Sequence, residues 1–229
     1  MTPTSLLVGG LAPLSTCDWP GQLAAVVFTQ GCSWNCSYCH NPHLLSAGEY
    51  VVPWDDVVSF LKTRRGLLDG VVFSGGEPTI QAALPDAMRE ARGLGFAIGL
   101  HTGGPVPGRF AEVLPLVDWV GFDVKAPFAD FERITGVPES GAAALTSLRA
   151  LIASGVEFET RTTVHPDLLT SDDLERMSVE LSSEGVTQWV VQSYRTEGAR
   201  PGLRPTRITE DYVPASASSR FVGYSFRPA

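Results

Sequence analysis

The sequence predicts an α/β fold built from parallel strands, and three features of the chain support this. Short apolar runs rich in Val, Ile and Phe alternate with longer segments of helical periodicity, giving six βα units. The short runs are apolar throughout, which is typical of strands that helices cover on both faces of a sheet. Several helical segments close with glycine, the residue that often follows a helix C-terminus. Six such units form either a partial barrel or a doubly wound sheet, and periodicity alone does not distinguish the two.

The predicted elements follow one another in a regular order. Strands are expected at residues 23–29, 70–73, 96–100, 119–122, 157–163 and 189–192. Helices are expected within residues 53–66, 80–95, 107–117, 140–155 and 171–185. Ser171, with Asp172 or Asp173 just inside, provides an N-terminal cap signal for the last helix.

A single domain is expected for residues 1–229, since one α/β barrel commonly has this length. Residues 23–192 are its core. The Gly/Pro-rich residues 1–22 are an N-terminal extension that we expect to pack across one end of the sheet. Residues 193–229 are a loop-dominated C-terminal extension with a late strand near 221–226.

Composition and charge limit the class of partner. The chain is 44% hydrophobic and 18% charged, with a formal charge of −8, which argues against a nucleic-acid partner because binding to phosphates usually rests on a basic patch. No apolar run approaches the roughly 18 to 20 residues that span a bilayer, and the N-terminus lacks the basic region of a secretory signal. We therefore expect a soluble, cytoplasmic protein. Because cytosolic thiols are kept reduced, its four cysteines are not expected to form disulfides.

Three of the four cysteines lie in one short loop, "FTQGCSWNCSYCHNPHL", at residues 28–44. Cys32, Cys36 and Cys39 have the spacing CxxxCxxC, which suits thiolate ligation of a metal. A structural zinc ion would need a fourth ligand from His40, His43 or Cys17, whereas a [4Fe-4S] cluster held by three thiolates would leave one iron open to another ligand. Zinc patterns usually pair two short loops, and no second pair follows here. Cys17 stands apart from the triplet and is interpreted as an ordinary small apolar side chain.

Further polar residues collect where the predicted strands end. The second strand runs into "SGGEP" at residues 74–78, the third into "HTGG" at residues 101–104, and the fourth into "DVK" at residues 123–125. Arg161 belongs to the end of the fifth strand. Because loops at the carboxyl ends of parallel strands converge, we expect these groups to face one site.

These motifs together resemble the radical S-adenosylmethionine (SAM) superfamily. The resemblance rests on CxxxCxxC after the first strand, an aromatic residue before the last cysteine, and "SGGEP" after the next strand. "DWPG", "FTQGC" and "CSYCHNP" resemble, more narrowly, the glycyl-radical-enzyme activases, especially the activating proteins of anaerobic ribonucleoside-triphosphate reductase. The resemblance extends from about Asp18 to Gln192, and it makes a partial (β/α)6 TIM-like barrel of parallel strands the expected fold.

The resemblance implies two cofactors. Cys32, Cys36 and Cys39 would hold three irons of a [4Fe-4S] cluster, and the amino and carboxylate groups of SAM would chelate the fourth iron. Electron transfer into the sulfonium would then give methionine and a 5′-deoxyadenosyl radical.

Matching chemistry assigns expected roles around SAM. Tyr38 would lie against the adenine ring. Gly75 and Gly76 would allow close approach of the backbone to the cofactor, and Glu77 would accept a hydrogen bond from its ammonium group.

Charged residues of the later strands would complete the SAM contacts. Asp123 and Lys125 would bracket the ammonium, ribose or carboxylate, and Arg161 would suit a carboxylate through its bidentate fork. Simple ion pairing at the protein surface or within the barrel is the alternative for these three. The sequence leaves open whether four further residues contact cofactor or support the scaffold: His40, His101, His165 and Gln192.

The resemblance implies an enzyme that acts on another protein. The radical would remove a hydrogen atom from the Cα of a glycine in a glycyl radical enzyme, for which anaerobic ribonucleoside-triphosphate reductase is the expected partner, and a flavodoxin or ferredoxin would supply the low-potential electron. One alternative is a radical SAM enzyme that acts on a small molecule, of the deazaguanine-forming type. Another is a zinc-binding interaction module without catalysis.

Overall fold

The structure is a computed structural model that describes residues 5–48 and 52–229. Within these residues, eight strands form one sheet in which the strand order equals the chain order. The strands are β1 Val8–Ser15, β2 Ala24–Thr29, β3 Gly70–Gly75, β4 Ala97–Thr102, β5 Trp119–Asp123, β6 Glu157–Val164, β7 Gln188–Ser193 and β8 Gly223–Arg227. The α-helices are α1 Trp54–Lys62, α2 Leu84–Gly93, α3 Pro107–Val113, α4 Phe131–Thr135, α5 Ser140–Ser154, α6 Ser171–Ser183 and α7 Ala215–Ser218.

Parallel pairing dominates the sheet, as the apolar strand patterns predict. β2 pairs with β3, β3 with β4, β6 with β7, and β7 with β8, all in parallel. All six predicted core strands are present, and the expected late strand is β8. The α/β class with parallel strands is therefore confirmed.

The N-terminal extension differs from the expectation. We expected residues 1–22 to pack across one end of the sheet, but β1 joins the sheet and pairs antiparallel with β2. This expectation was wrong because Gly9, Gly10 and Pro13 weaken the strand signal. The register of β1 shifts between Val8 and Gly10 and again between Ala12 and Ser15, which tolerates a proline that cannot donate to the ladder.

Prolines also move the helix boundaries away from those expected. Pro85 lies in the first turn of α2, so this helix begins at Leu84 and not near residue 80. Pro115 ends α3 at Val113, and a 3-10 turn follows over Leu114–Leu116. α6 is capped by Thr170 and not by Ser171: the Thr170 side chain accepts from the Asp173 N–H while the Asp173 side chain accepts from the Thr170 N–H.

The chain divides into two compact units, each with its own buried core. Unit 1 comprises the described residues of Met1–Ser33, His43–Thr102 and Gly108–Gly121. In its core, Trp19 stacks on Trp119 with ring centroids 5.7 Å apart. A Cβ on Gly70 or Gly99 would lie 2.8 or 2.9 Å from the Trp19 ring, so both glycines make room for this indole.

Unit 2 comprises Trp34–Pro42, Gly103–Pro107 and Phe122–Ala229. Its core includes Trp189 of β7, which is fully buried. The indole N–H donates to Thr162 Oγ1 at 3.0 Å, so the ring is buried without leaving a polar atom that lacks a hydrogen bond. Phe131 and Ile134 of α4 are also buried, which fixes a short helix that the sequence pattern did not predict.

Candidate functional site

The cysteine loop leaves the carboxyl end of β2 in unit 1 and is closed at its base. The Gly31 N–H donates to the Leu44 carbonyl at 2.7 Å, and the Cys32 N–H donates to the Leu45 carbonyl at 3.2 Å. Cys32 is half-buried at this base. The first cysteine is therefore held by backbone hydrogen bonds that need no particular side chain.

The Gly-Gly turn after β3 lies directly against the end of β2. Gly75 has a φ of 114°, and a Cβ there would lie 2.3 Å from the Thr29 nitrogen. A Cβ on Gly76 would lie 2.2 Å from the Gly31 carbonyl oxygen. The close approach allows the Gly76 N–H to donate to the Thr29 carbonyl at 2.9 Å and the Glu77 N–H to donate to the Gly31 carbonyl at 2.8 Å. The two glycines thus let the chain approach itself next to Cys32, while their expected contact with SAM stays a prediction.

Glu77 is buried and its carboxylate is engaged within unit 1. Its Oε1 accepts from the Thr79 N–H at 3.1 Å, from the Thr79 hydroxyl at 2.6 Å and from the Thr102 hydroxyl at 2.7 Å. These bonds cap the 3-10 turn Pro78–Ile80 and tie it to the carboxyl end of β4. A contact between Glu77 and an ammonium group stays a prediction.

His101 supports the scaffold of unit 1. Its Nε2 lies 2.7 Å from the Asp18 carbonyl oxygen, which can only accept, so Nε2 carries the proton. In the neutral ring Nδ1 then accepts from the Ser74 hydroxyl at 3.3 Å. His101 thereby joins the "DWPG" segment to the first residue of "SGGEP".

In unit 2, three of the expected site residues form one charged cluster. The Lys125 Nζ lies 3.3 Å from Asp123 Oδ2, and Arg161 donates to Asp123 Oδ1 through Nε at 3.1 Å and Nη2 at 3.0 Å. The Val124 N–H donates to the Arg161 carbonyl at 2.9 Å, which sets the register of the two segments. The cluster contains two cations and one carboxylate, and its ammonium and guanidinium groups are of the kind that bind a carboxylate.

Two aromatic rings of the cysteine loop flank the lysine of this cluster. Lys125 Nζ lies 5.8 Å from the Tyr38 ring centroid and 5.9 Å from that of Trp34, within the range of cation–π attraction. Burial alone would lower the pKa of Lys125, but the charges of Tyr38, Asp123 and Cys36 raise it well above its ordinary value. Burial also raises the pKa of the Tyr38 hydroxyl. These neighbours therefore favour the charged form of Lys125 beside the cysteine loop.

Cys36 and Cys39 lie in unit 2 on a loop that α4 supports. The Asn35 N–H donates to the Thr135 carbonyl at 2.8 Å and the Ser37 N–H to the Ile134 carbonyl at 3.0 Å. These carbonyls belong to the C-terminus of α4, which has no intrahelical donors for them. Burial raises the pKa of the Cys36 thiol, an effect that the positive charge of Lys125 opposes.

His40 and His165 contact a part of the C-terminal extension, residues 195–204, which we call the strap. His40 Nε2 lies 3.0 Å from the Arg195 carbonyl oxygen, and burial lowers the pKa of this imidazole. His165 Nε2 lies 2.9 Å from the Arg204 carbonyl oxygen. Both imidazoles also contact the Tyr194 ring. In these contacts His40 and His165 act as scaffold residues.

Gln192 continues the polar face that carries Arg161. Its Nε2 donates to the Thr163 hydroxyl at 2.7 Å, and Thr163 is the β6 residue that pairs with Gln192 of β7. Thr163 lies two residues beyond Arg161, so their side chains project from one face of the strand.

Sequence reasoning assigned no role to Trp34, Asn35 and Arg200, whose contacts hold the cysteine loop in place. Trp34 packs on Gly103, where a Cβ would lie 2.2 Å from the indole. Asn35 accepts a side-chain hydrogen bond from Arg200 of the strap at 2.5 Å. Asn35 and Arg200 are 165 residues apart along the chain, so no local sequence signal indicates their pairing.

The donor set of the loop fits an iron–sulfur cluster by its chemistry. Three thiols are the soft ligands that such clusters use, and each thiolate binds a different iron. Among residues 5–48 and 52–229, no three His, Cys, Asp or Glu side chains converge to hold a single metal ion.

Comparison with known proteins places these features in a family. The profile of the radical SAM superfamily matches residues 26–177. An inferred glycyl-radical enzyme activating enzyme of Methanocaldococcus jannaschii is 31% identical over 179 residues, which cover 74% of this chain and 72% of that protein. The pyruvate formate-lyase-activating enzyme of Clostridium pasteurianum is 32% identical over 163 residues, which cover 68% of this chain and 67% of that protein.

Among solved structures, QueE from Escherichia coli has a similar fold. Its TM-score is 0.55 at 14% identity, and the match covers 98% of this chain and 95% of QueE. At this identity the likeness concerns the fold alone.

The chain belongs to the radical SAM superfamily, whose members use a [4Fe-4S] cluster and SAM. Within that superfamily, its similarity to the two activating enzymes over about two thirds or more of its length places it among the glycyl-radical enzyme activating enzymes. No helix in the described part of the chain is long and apolar enough to cross a membrane.

Proposed function

We propose that this protein generates a glycyl radical on a partner enzyme, using a [4Fe-4S] cluster held by Cys32, Cys36 and Cys39. The observation that carries the proposal is the CxxxCxxC loop within a chain that matches activating enzymes over most of its length. Together with SAM, such a cluster would supply reductive cleavage to methionine and a 5′-deoxyadenosyl radical, with the electron coming from a low-potential donor; the radical would take one hydrogen atom from a glycine Cα and leave as 5′-deoxyadenosine.

The residues of unit 2 have a binding role in this proposal. Lys125 and Arg161, which both contact Asp123, would orient the carboxylate of SAM. Tyr38 presents a buried ring beside Lys125 that would lie against the adenine. The Lys125 side chain is only 12% exposed, and low exposure to water strengthens its electrostatic attraction to an anion.

The residues of unit 1 have a positioning role. Gly75 and Gly76 hold the chain after β3 against Gly31, which precedes Cys32. Glu77 would offer its carboxylate to the SAM ammonium group.

For the partner, we propose anaerobic ribonucleoside-triphosphate reductase, with a flavodoxin or ferredoxin as electron donor. The support is the resemblance of the "DWPG" and "CHNP" segments to reductase activating proteins. Pyruvate formate-lyase is the second candidate partner, because a relative that is 32% identical is named as its activating enzyme.

The test has two stages, both under anaerobic conditions. First, the full chain is reconstituted with iron and sulfide, reduced with dithionite, and assayed for 5′-deoxyadenosine from SAM; Cys36→Ala is the matched inactive variant. Second, the reductase and pyruvate formate-lyase are added separately, and the glycyl radical is measured by electron paramagnetic resonance.

We expect 5′-deoxyadenosine from the native chain, none from Cys36→Ala, and a radical signal with the reductase. A signal with pyruvate formate-lyase alone would replace the proposed partner but keep the activity. A colourless protein that binds zinc and forms no 5′-deoxyadenosine would contradict the proposed function.

A further inference from the structure

The strap makes contacts along the part of the cysteine loop that carries Cys36 and Cys39. The Arg200 N–H donates to the Cys39 carbonyl at 2.7 Å. The Arg200 guanidinium donates to Asn35 Oδ1 at 2.5 Å and reaches the Asn35 carbonyl at 3.5 Å. Arg200 therefore bonds on both sides of Cys36, to the residue before it and to the residue three positions after it.

Other contacts hold the strap itself in place. At one end, the Arg195 carbonyl oxygen lies 3.0 Å from His40 Nε2, and Gly198 approaches the His40 carbonyl so closely that a Cβ would lie 3.2 Å from it. At the other end, the Arg204 carbonyl oxygen lies 2.9 Å from the fully buried His165, and the Arg204 guanidinium pairs with Asp167. The strap is thus anchored at both ends, with Arg200 between the anchors.

The chemistry of arginine suits this position. A planar guanidinium can donate two hydrogen bonds in a fixed geometry, which a lysine ammonium does not reproduce. Asn35 offers a side-chain oxygen and a backbone oxygen, and Arg200 reaches both. The backbone hydrogen bond to Cys39 adds a third contact that does not depend on the side chain.

We infer that Arg200 is a positioning residue that holds Cys36 and Cys39 in their ligating arrangement, and that this is a function of the C-terminal extension. The inference rests on the proposed function, because cluster binding is the reason for which Cys36 and Cys39 would need a fixed arrangement. It concerns the loop of this chain alone, so it can be tested before any cluster is present.

The experiment measures alkylation of the full-length, iron-free chain by iodoacetamide, resolved by cysteine with mass spectrometry. Cys17 is exposed and serves as the internal reference. In Arg200→Ala we expect the rates at Cys36 and Cys39, relative to Cys17, to rise about fivefold, which corresponds to about 1 kcal/mol in the free energy of loop opening.

Two further variants separate positioning from general stability. Arg207→Ala removes an exposed arginine just beyond the strap and should leave all relative rates unchanged. Asn35→Ala removes the acceptor from the other side of the hydrogen bond, and the double variant with Arg200→Ala should react no faster than the faster single variant. Arg200→Lys should restore only part of the protection. Thermal unfolding midpoints of Arg200→Ala and Arg207→Ala should agree.

A reconstituted sample adds a second readout, the rate at which a chelator removes iron. We expect faster release from Arg200→Ala than from the native chain and Arg207→Ala. Equal alkylation rates in the native chain and Arg200→Ala, or additive effects with Asn35→Ala, would overturn the inference. A native chain that binds no cluster would contradict the proposed function, while the alkylation rates would still decide the role of Arg200.

Discussion

Replacing Gly76 by alanine should disturb the start of the cysteine loop through backbone contact alone. The added Cβ would lie 2.2 Å from the Gly31 carbonyl oxygen and 3.1 Å from the Leu44 carbonyl oxygen. Ordinary contact begins near 3.4 Å, so Gly31 and the Gly76 turn would have to separate by about 1 Å. Both neighbours are backbone atoms within a hydrogen-bonded turn, so no side chain can rotate away to relieve the clash.

The magnitude follows from two contributions. Overpacking of a buried contact costs roughly 1–3 kcal/mol. The separation also weakens the hydrogen bonds from the Gly76 and Glu77 N–H groups, each worth about 1 kcal/mol. We therefore expect Gly76→Ala to lower the free energy of unfolding by about 3 kcal/mol.

Gly93→Ala is the matched control because it makes the same chemical change at an unobstructed site. Gly93 is the last residue of α2, and nothing lies within 4 Å of a Cβ placed there. Alanine in a helix is favoured over glycine, so this variant should be more stable by up to about 0.5 kcal/mol. The two variants should thus change stability in opposite directions.

The assay is guanidinium unfolding of the iron-free chain at pH 7, followed by tryptophan fluorescence, with iron content after reconstitution as a second measurement. Gly76→Ala should show a lower unfolding midpoint and less bound iron than Gly93→Ala. An unfolding midpoint for Gly76→Ala equal to that of the native chain would refute the argument that the glycine is required by close backbone approach.

Three other variants or conditions test the charges of unit 2. Asp123→Asn removes the carboxylate that Lys125 and Arg161 both contact, so we expect a loss of about 2 kcal/mol in unfolding free energy, partly recovered when Lys125→Met is added; additive losses would contradict this coupling. Burial alone would raise the pKa of Asp173, but its hydrogen bonds lower it to about 2, so its ionised form stabilises the folded state above the unfolded pKa near 3.8. The stability difference between the native chain and Asp173→Asn, about 2 kcal/mol at pH 7, should fall by about half at pH 3 and vanish near pH 1; a pH-independent difference in urea unfolding would be the contrary result. Because burial raises the pKa of Cys36, its alkylation in the iron-free chain should still increase as pH rises above 9, and a plateau below pH 9 would disagree with this.

Much of the parallel sheet could be predicted because its signal is local. Each of the six core strands is an apolar run short enough to be a strand, and strand ends such as Asp123 and Gly75 fell within a few residues of the expected positions. β1 was not predicted because its glycines and proline weaken the apolar pattern of a strand. The strand forms nevertheless by pairing with β2, and Gly9 and Pro13 lie where the register of this pairing is irregular. α4 was missed because five residues carry too little periodicity to indicate a helix.

The candidate site was predictable in its composition but less so in its contacts. The cysteine spacing, the glycine pair and the polar strand ends are all visible in the chain. That Asp123 joins Lys125 and Arg161 could only be guessed from residue types, since ion pairing across 38 residues depends on how the strands align. Arg200 was not anticipated at all, because its segment has the composition of an ordinary loop.

The sequence by itself determined the fold class and the family and predicted the cysteine ligand set, because each depends on residue type and spacing along the chain. The tertiary structure alone decided that Gly76 is required by the Gly31 carbonyl, that Glu77 is bonded to Thr79 and Thr102, and that Arg200 spans Asn35 and Cys39. The physical reason is the separation along the chain of the residues that make contact. Periodicity and spacing report interactions between neighbours in the chain, whereas these contacts form only when folding brings distant backbone and side-chain atoms within hydrogen-bonding distance.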